Sequence, residues 1–256
     1  MQKKKIVIGN WKMNPRNTKE AEKLFKGVAE AVSRIKKTEV VICAPFIYLD
    51  RLSKIRTSKV TLGAQDAYGG EVGPFTGEVS SEMLYNSKIK YVILGHSERR
   101  ALGETNELIN KKLKGAIASG LRPILCVGEK ERDENHEYFN AVKIQLKECL
   151  NGITKALISK IIVAYEPVWA ISSTVGRRDA TADDSREMSI FIRKVLSDIS
   201  SPEVAGNVRI IYGGSVNERD AGSFLSDGGV EGVLPGKASL DAKKFVEIVK
   251  IAESIK

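Results

Sequence analysis

Glu166 ends the β-branched run Ile161-Ile162-Val163-Ala164-Tyr165 and is followed by Pro167. Proline has no amide hydrogen and cannot continue a ladder, so this carboxylate belongs where a strand stops. Apolar neighbours such as Ile171 and Leu234 would partly desolvate it. That makes it a stronger base, able to take a proton from carbon next to a carbonyl. The structural alternative is a strand-end glutamate held in a salt bridge.

His96 follows Tyr91-Val92-Ile93-Leu94-Gly95 and precedes Ser97-Glu98-Arg99-Arg100, a helix start. The positive end of a helix disfavours imidazolium, so a neutral ring there can donate to a substrate oxygen. The competing reading is a structural histidine. His136 lies in the charged stretch Asp133 to Glu137 and reads as exposed. Asn10 and Lys12 follow the first apolar run, where a fixed cation would stabilise an anion or enolate. Tyr212-Gly213-Gly214-Ser215 and Pro235-Gly236-Lys237-Ala238-Ser239 are glycine turns of the kind that bind phosphate through backbone amides. Glu98 and Glu129 read as partners that orient a cation, Lys12 or an arginine. Cys126 beside Glu129 could be a nucleophile, but no second histidine ends a strand to activate it, so it reads as packing. No cluster has metal-ligand spacing, and metal-free, cofactor-free proton transfer fits the set.

These groups are far apart in sequence, so the fold must gather them. Eight short apolar runs recur: Ile6 to Ile8, Val40 to Cys43, Val60 to Leu62, Tyr91 to Leu94, Ile124 to Val127, Ile161 to Tyr165, Val208 to Tyr212 and Val230 to Leu234. Amphipathic stretches separate them, over 18–35, 106–118, 138–150, 183–199 and 241–255. The alternation predicts βα units, and eight strands close a parallel α/β barrel of the (β/α)8 type. An open doubly wound sheet would show a GxGxxG turn after the first run, where Asn10-Trp11-Lys12-Met13-Asn14 stands instead. No linker breaks the pattern, so residues 1–256 read as one domain. In a closed barrel the C-terminal strand ends meet at one mouth, which brings the polar residues together.

With 42% hydrophobic and 29% charged residues, the chain reads as globular and soluble. The net charge of +9 fits an anionic small substrate or a basic surface better than nucleic acid, because aromatics are only 6%. The Lys3 to Lys5 run is the densest basic patch and reads as a solvated face. Cys43, Cys126 and Cys149 have no CxxC spacing, which suggests neither disulfides nor zinc and fits a reducing cytoplasm. The apolar run at Ile6 to Ile8 is far too short for a signal peptide or a membrane span.

Taken together, Gly9-Asn10-Trp11-Lys12-Met13-Asn14, Gly95-His96-Ser97-Glu98-Arg99-Arg100, Ala164-Tyr165-Glu166-Pro167-Val168-Trp169-Ala170-Ile171 and Tyr212-Gly213-Gly214-Ser215-Val216 resemble the triosephosphate isomerase family. Gly63-Ala64-Gln65, Phe75-Thr76-Gly77-Glu78 and Ile124-Leu125-Cys126-Val127-Gly128-Glu129 match as well, so the resemblance runs the length of the chain. It implies reversible interconversion of dihydroxyacetone phosphate and glyceraldehyde 3-phosphate through an enediolate, without cofactor or metal. This family is itself a standard worked case of a glutamate base paired with a neutral imidazole. Glu166 resembles its base, His96 its electrophile, and Lys12 and Asn10 the electrostatic helpers. Ser172, Ser215, Gly236 and Lys237 match phosphate-holding positions, and Ile171 and Leu234 the apolar clamp around the base. The segment between Gln65 and Glu78 resembles one that docks into a partner near Asn14, which implies a homodimer.

Two departures stand out. The family usually continues Ala-Ile-Gly-Thr-Gly-Lys, where this chain has Ala170-Ile171-Ser172-Ser173-Thr174-Val175-Gly176-Arg177-Arg178-Asp179. This lid is longer by about three residues, enough to move its hinges. The other is Pro235-Gly236-Lys237, where the family commonly has Val-Gly-Gly. A non-catalytic phosphate-binding barrel, or an isomerase of a longer sugar phosphate, therefore stays open as an alternative.

Overall fold

The computed structural model describes residues 3–171 and 178–255. Its strands are β1 (Ile6–Asn10), β2 (Glu39–Cys43), β3 (Val60–Ala64), β4 (Tyr91–Leu94), β5 (Arg122–Val127), β6 (Ile162–Tyr165), β7 (Arg209–Tyr212) and β8 (Gly232–Val233). All pair in parallel in chain order, and β8 pairs with β1 to close the barrel.

Alternation of side chains builds two apolar layers. Ile6, Ile8, Val41, Cys43, Tyr91, Ile93, Ile124, Cys126, Ile162, Ala164 and Ile211 fill the barrel interior. Their neighbours Val7, Val40, Ile42, Val92, Leu125 and Val163 face outward against the helices. The helices present matching stripes. Ala21, Phe25 and Val28 are buried along Thr18–Ala31, whose first turn is capped by the Asn17 side chain on the Glu20 amide. A capping box between Thr181 and Asp184 starts Ala182–Ile199.

Register sets the mouth. Tyr165 lies opposite Val127 on one side and Tyr212 on the other. The next residues, Glu166, Gly128 and Gly213, are therefore level. Glu166 N–H donates to Val127 O at 2.8 Å, and Gly213 N–H donates to Tyr165 O at 2.7 Å.

The structure shortens two elements by more than a residue at one end. The first helix ends at Ala31 instead of Ile35 because the chain tightens into a turn, with Ser33 N–H on Glu30 O and Ile35 N–H on Val32 O. Ile35 still packs on the core, so the apolar period outlasts the helical backbone. The last strand is regular only over Gly232–Val233, although pairing extends on both sides, from Ile6 N–H to Glu231 O and from Leu234 N–H to Tyr212 O. Gly229, at φ +67°, turns the chain immediately before it, and Pro235 stops the ladder after it. A Cβ at Gly232 would fall 2.1 Å from Ile6 O, so only glycine permits this closure.

Lys3 and Lys5 are tied down instead of fully solvated. Lys3 Nζ donates to Val208 O, and Lys5 Nζ to Leu225 O and Val230 O, pinning the chain to the bottom of the barrel. All three cysteines are buried and unpaired. Burial pushes each thiol above its ordinary range, and at Cys126 the nearby Glu166 charge pushes in the same direction. A protonated, enclosed thiol is a poor nucleophile, consistent with Cys126 as packing. Among the described residues, no helix is long and apolar enough to cross a membrane.

Candidate active site

At the C-terminal mouth, Asn10, Lys12, His96, Ile171, Leu234, Lys237 and the turns around Gly213 and Gly236 line one pocket. Glu166 lies beside it, 2% exposed, with Oε1 3.2 Å from His96 Nε2. Its Oε2 accepts from Ser97 N–H at 3.1 Å, whereas Oε1 has no hydrogen-bond partner among the described residues. A buried carboxylate oxygen without a donor costs free energy to maintain. It is also the oxygen free to receive a proton.

His96 caps the short helix Ser97–Ala101, as its sequence context predicts, and its Nδ1 accepts from Glu98 N–H at 3.2 Å. An accepting Nδ1 carries no proton, so the network assigns the neutral tautomer with hydrogen on Nε2. Nε2 is the ring nitrogen on the Glu166 side, close to Oε1 but not in hydrogen-bonding geometry with it.

Lys12 has φ +51°, a left-handed conformation that costs a non-glycine residue about 1–3 kcal/mol. Two side chains hold it there. Asn10 Oδ1 accepts from Lys12 N–H at 3.0 Å, and Gln65 Nε2 donates to Lys12 O at 2.9 Å and to Cys43 O at 3.0 Å. The ammonium is steered by Glu98, whose Oε1 accepts from Lys12 Nζ at 2.6 Å. In the sequence Gln65 figures in the Gly63-Ala64-Gln65 match and as the start of the segment running to Glu78, with no role for its side chain. Its two carbonyl partners come from β2 and the turn after β1, a juxtaposition that sequence does not reveal.

Both glycine turns are close approaches. A Cβ on Gly213 would sit 2.8 Å from Glu166 Cγ, and one on Gly214 would sit 2.2 Å from Tyr212 Oη. At Gly236 it would touch Lys12 Cε at 3.4 Å. Ser215 N–H donates to Ala170 O at 3.3 Å, tying this turn to the base of the lid. A 3-10 helix, Lys237–Leu240, begins at Gly236, and the first amides of a helix have no intrahelical acceptor. Leu234 is buried, with its amide spent on Tyr212 O, so it offers an apolar wall instead of a donor.

Glu129 organises the lid base. Its Oε1 accepts from Tyr165 Oη at 2.7 Å and Trp169 Nε1 at 2.8 Å, and its backbone carbonyl accepts from Val168 N–H at 2.9 Å. Burial raises its carboxyl against these bonds, and Arg132 Nε stands 3.4 Å away. Arg178 Cζ lies 4.4 Å over the Trp169 ring, so the residues flanking the lid touch each other. Ser172, together with the rest of the altered tip through Arg177, lies outside the described residues. Among the described residues, no three His, Cys, Asp or Glu side chains gather as a metal-holding group.

The sequence model of the family described as Triosephosphate isomerase matches residues 5–252. Proteins carrying that name are similar over nearly all of both chains. The one from Dictyoglomus thermophilum is 42% identical over 97% of this chain and 99% of its own. That from Rhodopirellula baltica is 41% identical over 99% and 100%. That from Dehalococcoides mccartyi is 43% identical over 98% and 97%.

Proposed function

Because the chain belongs to the triosephosphate isomerase family, we propose that Glu166 is the base of its isomerisation, with His96 and Lys12 as electrophilic partners. The chain is an aldose-ketose isomerase interconverting dihydroxyacetone phosphate and D-glyceraldehyde 3-phosphate. Glu166 takes a proton from C1 of the ketose as the C2 carbonyl oxygen gains negative charge. The His96 Nε2–H and the Lys12 ammonium stabilise that oxygen; the C1 hydroxyl proton is then transferred to the C2 oxygen through His96, and returning the Glu166 proton to C2 leaves the aldehyde at C1. Asn10 shapes the turn that carries Lys12, and Glu98 orients the ammonium. Amides of Gly236 and Lys237, with Ser172 from the lid and Ser215 once its N–H exchanges Ala170 O for the ligand, hold the phosphate, while Leu234 and Ile171 enclose the base. The step requires no cofactor.

The observation that carries this reading is the buried Glu166 Oε1, unbonded and 3.2 Å from His96 Nε2. A coupled assay of triose phosphate interconversion tests it with wild type and Glu166→Gln. General base catalysis contributes on the order of 10²–10⁴-fold, so kcat should fall by at least that range's lower end. An inactive wild type, or a fully active variant, would overturn it. Among the alternatives raised by the lid, neither a silent barrel nor a longer-sugar isomerase is favoured by relatives of this identity and coverage.

A single catalytic domain over 1–256, a cytoplasmic location and a homodimer through residues 65–78 complete the proposal. Met13 is 95% exposed, and Val72 and Phe75 also present apolar surface, which supports a partner at this face. No role for nucleic acid or membrane enters it. A monomer by sedimentation velocity at micromolar concentration would remove the dimer.

A further inference from the structure

We propose that the Lys237 side chain, and not only its backbone, is a specificity determinant that recognises the dianionic phosphate of the substrate. The inference rests on the phosphate site proposed above and adds a charge to it.

Lys12 and Lys237 are the charged residues among those lining the pocket. Lys12 is already committed, with its ammonium 2.6 Å from Glu98 Oε1. The Lys12–Glu98 pair is neutral as a unit, which leaves Lys237 to supply the uncommitted cation among the pocket-lining residues. No carboxylate pairs with its ammonium among the described residues, and its side chain is exposed, so the cation is held by no internal partner. It lines the same pocket as Lys12, Ser215 and Gly236, where a cation favours an anionic ligand. The backbone there is anchored independently of the side chain. Ser239 Oγ donates to Gly236 O at 2.6 Å and to Asn10 O at 3.2 Å, and Pro235 O accepts from Asn10 N–H at 3.0 Å. A change at the Lys237 side chain thus leaves the turn in place.

The role is binding and not proton transfer, so its signature is a split between KM and kcat. Lys237→Gln, Lys237→Gly and Lys237→Arg are compared with wild type in the triose phosphate assay. Inorganic phosphate serves as competitive inhibitor at two ionic strengths, and its binding is measured separately by calorimetry. An exposed cation beside a dianion is worth about threefold to tenfold in affinity at low salt. Lys237→Gln and Lys237→Gly should raise KM and the phosphate Ki by that factor, with kcat falling less than kcat/KM. Their salt dependence should flatten, and Lys237→Arg should restore both. Phosphate affinity unchanged in Lys237→Gln, with circular dichroism showing a folded protein, would overturn the inference. Because calorimetry needs no turnover, an inactive wild type would sink the isomerase reading while this one could still stand or fall on phosphate binding.

Discussion

Gly213 has no side chain because Glu166 occupies the space, a Cβ there falling 2.8 Å from Glu166 Cγ. The glycine follows β7 as Glu166 follows β6, and their shared register forces them side by side.

Gly213→Ala must therefore displace the base or the turn. A displacement of about 1 Å can cost on the order of 100-fold in rate, and overpacking about 1–3 kcal/mol in stability. We expect kcat to drop by about 10- to 100-fold while the variant still folds. A variant with wild-type kcat, measured beside urea unfolding, would show that the contact does not constrain the carboxylate.

Gln65 is expected to matter through Lys12. Replacing it by leucine keeps the volume and strips the donor from Lys12 O and Cys43 O, and losing such donors costs about 1–3 kcal/mol. Lys12 would then relax from its left-handed backbone, carrying its ammonium off target. Gln65→Leu should lower the urea midpoint and raise KM together. A lower midpoint with unchanged KM would mean that Gln65 supports the barrel but not the placement of Lys12.

Acid stability can be traced at the opposite end of the barrel. Burial raises the Glu39 carboxyl, but hydrogen bonds from Tyr91 and Arg209, with Arg209 Nη1 at 2.7 Å, outweigh it and the net direction is downward. A carboxylate lowered by folding contributes stability that is fully present above its unfolded pKa, about 4.3, and is lost as pH falls through the lower folded value. Glu39→Gln should therefore be less stable than wild type near neutrality, by on the order of 1 kcal/mol, and the gap should close as pH drops below about 4. Urea midpoints of both proteins from pH 7 downward decide it. A gap that stays constant or widens in acid would reverse the sign assigned here.

The barrel was legible because βα alternation is a local signal, repeated eight times, and closure followed from the count. Glu166 was legible because Pro167 and the preceding apolar run mark a strand end, and His96 because Ser97-Glu98 opens a helix. What escaped were relationships fixed by register between distant strands. Gly213 reads in sequence as a turn glycine for phosphate, and nothing local says that it also makes room for a carboxylate 47 residues earlier. The positive φ of Lys12, its tether to Gln65, and the gathering of Tyr165 and Trp169 around Glu129 belong to the same class. The short β8 escaped for another reason: apolar runs continue where backbone geometry does not.

The three enclosed cysteines give the molecule a built-in clock. Cys43 and Cys126 lie inside the barrel and Cys149 on the buried face of the helix Glu137–Cys149, with every thiol raised by burial. An alkylating reagent in solvent can reach the first two only when the ring of strands opens. The rate at which native protein acquires label on Cys43 and Cys126 therefore counts opening events, and, because Cys126 meets Glu166, loosening of the mouth adds to that count.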